Sequence, residues 1–191
     1  MLYVFFRFLL RCIYSVLFRL KAIGVENIPK TGAVILASNH ISNLDPPTIG
    51  VKVPRKVHFM AKEELFKIPV FGALIRAFGA FPVKRGGVSK DAIKAGITLL
   101  KSGEVMGIFP EGSRSNAGAA KKGTAMIAMR SGAAVVPVAI VGGYKLFRQT
   151  KVCYGKPIQL SEIIDESSPD VLDQAMDVVM ARIQELARQH Q

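Results

Sequence analysis

Short apolar runs alternate with stretches of helical periodicity along most of the chain. Bounded apolar runs predict buried strands, whereas longer segments with apolar residues on one side predict helices. By these criteria we expect strands at 32–38, 57–60, 80–83, 105–109, 134–141 and 151–154, and helices within 62–78, 89–101, 124–130 and 169–189. Strands that alternate with helices are typical of an α/β domain, so we expect a single domain with a mixed, largely parallel sheet flanked by helices.

Proline, serine and glycine positions refine these elements. The 62–78 region should form one or two short helices interrupted at Pro69, because proline cannot continue a helix. Ser89 should cap the next helix, and Gly103 should end it. Pro137 interrupts the longest apolar run and cannot donate a ladder hydrogen bond, which predicts an edge strand or a β-bulge at this position.

The first 22 residues are strongly apolar but carry regularly spaced arginines. On a helix, one side holds Arg7, Arg11, Ser15 and Arg19, and the other side holds Phe5, Leu9, Ile13, Val16 and Leu20. The arginines interrupt the apolar run and no small-residue cleavage site follows, which argues against a signal peptide and against a membrane span. We therefore expect residues 1–24 to form an amphipathic helix in a membrane interface. The alternative is a helix that packs on the core of the protein itself.

Composition and charge narrow the choice of partners. Lysine and arginine outnumber aspartate and glutamate by 26 to 14, and the formal net charge of +12 favours an anionic partner. The chain has no tryptophan and no nucleic-acid docking motif, so we expect no nucleic-acid partner and favour phospholipid or a phosphorylated substrate. Cys12 and Cys153 lie far apart, which predicts a reducing cytosolic setting and neither a metal site nor an organic cofactor.

Candidate chemistry begins with His40 and Asp45, which follow the first predicted strand. If a compact turn joins them, the carboxylate accepts a hydrogen bond from one imidazole nitrogen, and the other nitrogen can act as a base. No serine or cysteine is placed to complete a nucleophile triad, so the activated hydroxyl would belong to the substrate and transfer would be direct. The alternative is a structural hydrogen bond in a loop.

Two further segments place basic and acidic residues after predicted strands. In the first, 81–87, a strand delivers Arg85 and two glycines to a loop, where the guanidinium could make a bidentate contact to phosphate. In the second, 109–115, Glu111 could hold a glycerol hydroxyl, while Arg114 and the nearby Lys122 could bind phosphate. The alternatives are a solvated basic turn and an ordinary surface ion pair.

Taken in order, these segments resemble the sequence blocks of the glycerolipid acyltransferase family, and especially its bacterial members that acylate 1-acylglycerol 3-phosphate. The likeness covers roughly residues 25 to 160. Asn39, His40 and Asp45 match the first block, and 81–85 matches the second, although Lys84 stands where the family often has an acid. The segment 109–115 matches the third, with serine replacing the usual threonine, and 135–140 matches the fourth, an apolar strand around a proline.

The resemblance implies roles for individual residues. His40 would be the base and Asp45 its support, and the substrate-binding residues would be Arg85, Glu111, Gly112, Ser113, Arg114 and Lys122. It also implies that residues 25–191 form the acyltransferase domain. Acyl-CoA or acyl carrier protein would donate the chain and lysophosphatidic acid would accept it, giving phosphatidic acid for phospholipid synthesis. The expected location is the cytoplasmic face of the cell membrane, with a peripheral or monotopic attachment.

Two other functions stay open at this point. The same machinery could acylate a different acceptor, such as glycerol 3-phosphate or another lysophospholipid. A non-catalytic lipid-binding protein could also keep the basic loops and the amphipathic helix, without using His40 for chemistry.

Overall fold

The computed structural model describes residues 2–83, 89–111, 117–164 and 167–191. Within these ranges seven strands form one sheet: β1 (Lys21–Ile23), β2 (Val34–Ser38), β3 (Val57–Lys62), β4 (Phe81–Val83), β5 (Val105–Ile108), β6 (Ala134–Val141) and β7 (Lys151–Tyr154). Their order is β1-β7-β6-β2-β5-β3-β4. Neighbouring strands run parallel except for the antiparallel pair β6 and β7. The prediction of a mixed, largely parallel sheet in an α/β domain is confirmed.

Helices connect the strands and cover both faces of the sheet. They are α1 (Leu2–Leu17), α2 (Asp45–Gly50), α3 (Phe71–Ala77), α4 (Lys90–Lys101), α5 (Ala117–Ser131), α6 (Leu160–Ile163) and α7 (Val171–Gln189), with 3-10 turns at Val25–Asn27 and Glu63–Lys67. Pro69 separates a 3-10 turn from α3, as predicted. Ser89 caps α4 by accepting a hydrogen bond from the Ala92 N–H at 3.2 Å, and Gly103 follows this helix with φ +83.

The side chains of β2 show how the two layers are built. Ile35 and Ala37 belong to a core shared with α4, α5 and α7, while Val34 and Leu36 belong to a second core shared with α1 and α2. All four side chains are fully buried. This strand therefore reads as a continuous apolar run because alternate residues enter different cores.

The helix α5 is longer than predicted, because it begins at Ala117 and not near Thr124. The intervening segment is rich in alanine and lysine, which are strong helix formers, although it lacks the apolar periodicity by which a helix is recognised. Lys122 consequently lies on a helix and not in the loop where it was expected.

Pro137 does not lie on an edge strand, because β6 has β2 on one side and β7 on the other. Instead, the antiparallel register slips beside it: Val138 pairs with Tyr154, whereas Val135 pairs with Ile158. One extra residue therefore stands in the partner segment, and the backbone N–H of Gly155 donates to the Pro137 carbonyl at 2.8 Å. Of the two expectations, the edge strand is wrong, and the register slip is the local irregularity that a bulge produces.

The N-terminal helix ends at Leu17 and not at residue 24, and Lys21–Ile23 forms the unpredicted edge strand β1. Four side chains of the predicted apolar side are exposed, namely Phe5, Leu9, Ile13 and Val16, whereas Leu20 lies beyond the helix and is buried. Arg7, on the predicted polar side, does not extend freely from the helix, because its guanidinium donates to the Val53 carbonyl at 2.9 Å. In the part of the chain that the structure describes, no helix has the length and apolar character needed to span a bilayer.

Candidate active site

The parallel strands direct several loops to one edge of the sheet. The carboxyl ends of β2, β3, β4, β5 and β6 share this edge, because these strands run in the same direction. The segments that carry the candidate residues follow β2, β4 and β5. In open α/β sheets this edge is the usual position of a ligand site.

Asn39 closes the end of β2 with its side chain. Its amide Nδ2 donates to the Ile140 carbonyl at 3.0 Å, and its Oδ1 accepts from the Ile140 N–H at 2.8 Å. The side chain therefore takes the place of a strand backbone opposite β6. Because the Asn39 side chain makes these two hydrogen bonds, the main chain can leave the sheet at residue 39 and place His40 in the loop.

The loop between β2 and α2 brings the predicted pair together. His40 Nδ1 lies 2.6 Å from Asp45 Oδ2, and the same oxygen accepts from the N–H groups of Ile41 and Ser42, each at 2.7 Å. Asp45 begins α2, and the two prolines that follow it suit the first turn of a helix. The compact turn required for contact is thus formed around the carboxylate itself.

The surroundings of Asp45 favour its charged form. The side chain is 0% exposed, and burial by itself raises the pKa of Asp45. Hydrogen bonds from the His40 ring, the Tyr144 hydroxyl and two backbone N–H groups outweigh this effect, so the pKa lies below its usual value. An ionised Asp45 accepts the Nδ1–H of His40 and leaves the lone pair on Nε2. The His40 side chain is 31% exposed, so a substrate can reach this ring.

A stack of aromatic rings lies against one face of the imidazole. The Phe109 ring lies 4.2 Å from the His40 ring at 21°, and the Phe59 ring follows at 6.2 Å and 19°. Phe59 in turn lies against Gly107 of β5, where any Cβ would overlap its ring. The orientation of His40 is therefore fixed by the carboxylate through Nδ1 and by the sheet through two phenyl rings.

Tyr144 is a site residue that was not expected from the sequence. Its hydroxyl lies 2.7 Å from Asp45 Oδ1 and 2.8 Å from Thr48 Oγ1. In the sequence it follows two glycines after an apolar run, which is typical of an ordinary turn. Only the sheet order, which places β6 beside β2, brings it to the carboxylate.

Among the described residues, the other predicted site residues make no hydrogen bond to His40 or Asp45. Glu111 is exposed in the segment after β5. Lys122 lies on α5, where its Nζ is 3.7 Å from Asp173 Oδ2 of α7, and both side chains are more than half exposed. An exposed pair of this kind stabilises the fold by about 1 kcal/mol at most. The remaining four fall outside the described residues: Arg85, Gly112, Ser113 and Arg114.

The described ranges contain no group of three or more histidine, cysteine, aspartate and glutamate side chains that could hold a metal ion. They also contain no serine, threonine or cysteine hydrogen-bonded to His40. The described residues therefore provide a single imidazole base, which a buried carboxylate orients and which is open to a hydroxyl brought by the substrate.

A histidine base oriented by a buried carboxylate, at the carboxyl ends of the strands of an α/β sheet, is suited to activating a hydroxyl group. A family model for acyltransferases matches residues 19–141, which include His40, Asp45 and the 109–115 segment. The chain belongs to the acyltransferase family. The resemblance found in the sequence is confirmed.

Similar proteins agree with this assignment. The chain is 34% identical over 184 residues to the 1-acyl-sn-glycerol-3-phosphate acyltransferase of Bacillus subtilis, covering 93% of this chain and 92% of that protein. It is 34% identical over 157 residues to the enzyme of the same name from Streptococcus pneumoniae, covering 78% of this chain and 57% of the relative. The crystal structure of the 1-acyl-sn-glycerophosphate acyltransferase PlsC from Thermotoga maritima superposes with a TM-score of 0.67 at 32% identity, covering 87% and 71% of the two chains.

Proposed function

We propose that this enzyme transfers a fatty acyl chain from a thioester to the sn-2 hydroxyl of 1-acylglycerol 3-phosphate, giving phosphatidic acid for phospholipid synthesis. The His40 and Asp45 pair carries this proposal, since Nδ1 is bound to a buried carboxylate at 2.6 Å while the ring stays partly exposed. The relatives from Bacillus subtilis and Streptococcus pneumoniae, which are named for this acceptor, support it.

The reaction follows from the position of the base. His40 Nε2 takes the proton of the sn-2 hydroxyl while that oxygen attacks the thioester carbonyl carbon. The tetrahedral oxyanion collapses, the carbon–sulfur bond breaks, and the imidazolium returns its proton to the departing thiolate. Asp45 stays ionised and stabilises the imidazolium that forms between these steps. Acyl carrier protein and coenzyme A both supply a thioester of the required kind.

The acceptor phosphate would be held by cations that follow β4 and β5 in the sequence, the last of them on α5. Arg85, Arg114 and Lys122 are proposed to bind it, Glu111 to hold a glycerol hydroxyl, and Gly112 and Ser113 to bind the substrate with them. The net charge of +12 supports an anionic acceptor. An approach of the phosphate to Lys122 would compete with its exposed pairing to Asp173, which costs little to break.

The same proposal places the enzyme on the cytoplasmic face of the cell membrane, with α1 in the lipid interface. On this helix Phe5, Phe8 and Val16 are each more than 60% exposed, although they are large and apolar. The helix also adjoins the site, because the Tyr14 hydroxyl lies 3.4 Å from the Leu44 carbonyl. A lipid-bound α1 would therefore bring the His40 loop to the depth at which lysophospholipid headgroups lie.

The acceptor and the donor can be determined together in one assay. Purified protein on anionic vesicles is given palmitoyl-CoA or palmitoyl acyl carrier protein, and thiol release is followed with 1-acylglycerol 3-phosphate, glycerol 3-phosphate, another lysophospholipid or no acceptor. We expect release that depends on 1-acylglycerol 3-phosphate. A preference for another acceptor would change the substrate. Vesicle binding without any release would instead support a non-catalytic lipid-binding protein.

Membrane attachment has a separate test in vesicle sedimentation. Replacing both Phe5 and Phe8 with serine removes two exposed rings, and we expect the partition coefficient onto anionic vesicles to fall by about 100-fold, taking roughly 1.5 kcal/mol for each ring. Ile163→Ser is the matched control, because this exposed residue lies on α6, which packs with the α5 and α7 layer. Equal sedimentation of the double variant and the wild type would contradict the role of α1.

A further inference from the structure

Tyr144 occupies a defined place beside the dyad. It follows β6 in the loop to β7, and its ring meets the Phe18 ring edge-on, with 5.4 Å between centroids and an angle of 82°. Its hydroxyl contacts both Asp45 Oδ1 and Thr48 Oγ1 of α2. The tyrosine therefore joins a core contact on one side to the catalytic carboxylate on the other.

The direction of the hydrogen bond between Tyr144 and Asp45 follows from the hydrogen atoms that Asp45, Thr48 and Tyr144 carry. An ionised carboxylate only accepts, and the Thr48 hydroxyl donates its single hydrogen to the Leu44 carbonyl at 2.8 Å. The Tyr144 hydroxyl has one hydrogen, and the charged carboxylate is a stronger acceptor than a threonine oxygen. Burial raises the pKa of Tyr144 well above its usual value, so the hydroxyl keeps this hydrogen at any ordinary pH. Tyr144 therefore donates to Asp45 Oδ1.

The two carboxylate oxygens then have separate tasks. Oδ2 accepts from the His40 ring and from two backbone N–H groups of the loop. Oδ1 is turned away from the histidine and accepts from Tyr144. Without that donor, one oxygen of a fully buried carboxylate would lose a neutralising contact, and rotation of the carboxylate about its bond to Cβ would become easier.

We propose that Tyr144 is a positioning residue of the acyl transfer, which acts through Asp45 by fixing the carboxylate plane and by limiting the negative charge that faces His40. This inference rests on the proposed function, since it assigns a role within that reaction. The Tyr144 hydroxyl bonds to Asp45 and Thr48 and not to the imidazole, and it takes no proton in the reaction. Its effect reaches the substrate only through the orientation and basicity of His40.

The test compares two tyrosines that bind the same helix. Tyr144→Phe removes one hydroxyl and keeps the ring against Phe18. Tyr154→Phe is the matched control, because its buried hydroxyl donates to the Ile49 carbonyl of α2 at 2.6 Å and does not contact the carboxylate. For both variants kcat, KM for 1-acylglycerol 3-phosphate, the pH profile of kcat/KM and the thermal midpoint are measured.

For Tyr144→Phe we expect kcat to fall by about 10- to 100-fold, as for the loss of a hydrogen bond to a charged group, with KM unchanged. The acid limb of the profile should move to higher pH, since more negative charge then faces the His40 imidazolium. In the described ranges the titratable groups around Asp45 are His40, Tyr144 and, from α1, Tyr14, whose pKa is raised to about 12 by burial. Neither tyrosine titrates in the range of the acid limb.

A double variant separates this role from a structural one. Because Tyr144 acts through Asp45, adding Tyr144→Phe to Asp45→Asn should cost no further activity. Tyr154→Phe should lower the thermal midpoint without moving the pH profile. If the wild type is active and Tyr144→Phe changes neither kcat nor the pH profile, the inference is overturned. It is also overturned if Tyr154→Phe moves the pH profile as far as Tyr144→Phe does. Absence of acceptor-dependent thiol release in the wild type would instead overturn the proposed function.

Discussion

Replacing His40 with alanine is expected to lower kcat by about 10²- to 10⁴-fold, while KM for the acceptor changes little. The imidazole provides the base for the attacking hydroxyl and the acid for the leaving thiolate. The described residues offer no second base beside it. Binding of the acceptor is attributed to other residues, so the loss should appear in the chemical step.

The measurement for His40→Ala is acceptor-dependent thiol release under saturating acceptor, with vesicle binding and circular dichroism as checks on the fold. His58→Ala is the matched control, because this largely buried histidine lies near the start of β3, at the opposite end of the parallel strands, where its Nδ1 lies 3.0 Å from the Gly79 carbonyl. We expect His58→Ala to retain most of kcat. A His40→Ala enzyme within a few-fold of the wild type would contradict the assignment of the base.

Asp45→Asn is expected to lower kcat by about 10⁴-fold, the size of loss that the same change causes in a Ser-His-Asp triad, where the carboxylate has the same role toward histidine. Three donors converge on Oδ2: the His40 ring and the N–H groups of Ile41 and Ser42. An amide NH₂ turned toward the ring would donate to Nδ1, so Nε2 would carry the hydrogen and could not act as a base. An amide oxygen in that place would keep the contacts but would not neutralise the imidazolium.

Asp45→Asn should also lower the free energy of unfolding, by an amount that depends on pH. The pKa of Asp45 is lowered in the folded protein, so its charge contributes stability above the unfolded pKa of about 4, and this contribution is lost as the pH falls through the folded value. The difference in the free energy of unfolding between wild type and variant should therefore be larger at pH 7 than at pH 3. The exposed Asp177→Asn on α7 serves as the control for both measurements. A pH-independent difference would mean that charge at Asp45 does not stabilise the fold.

The central strands β2, β5 and β6 were predictable because they are buried on both faces and carry continuous apolar runs. The helices α4 and α7 were predictable from their periodicity, and the cap at Ser89 from its local hydrogen-bonding chemistry. The short α2 was not, since it has six residues and two prolines, and it is held by tertiary hydrogen bonds from Tyr144 and Tyr154. β1 has only three residues, and its pairing to β7 spans the whole domain.

The site was predictable where its chemistry is local in sequence. His40 and Asp45 lie in one loop, so spacing and residue type were enough to suggest the pair. Tyr144 is 99 residues from Asp45, and Asn39 pairs with a residue 101 positions away, so these contacts depend on strand order, which no short motif encodes. The proposed phosphate-binding roles, including that of Arg85, stay predictions.

Gly107, a buried residue in the middle of the sheet, affects the orientation of His40 through two phenyl rings. A side chain there would displace the Phe59 ring, which lies beside Phe109, which in turn lies on the imidazole. Tolerance to mutation at this buried position is therefore set by the orientation of one catalytic ring as well as by the volume of the core. Substitution of Gly107 is therefore expected to impair catalysis, although this residue takes no part in the reaction.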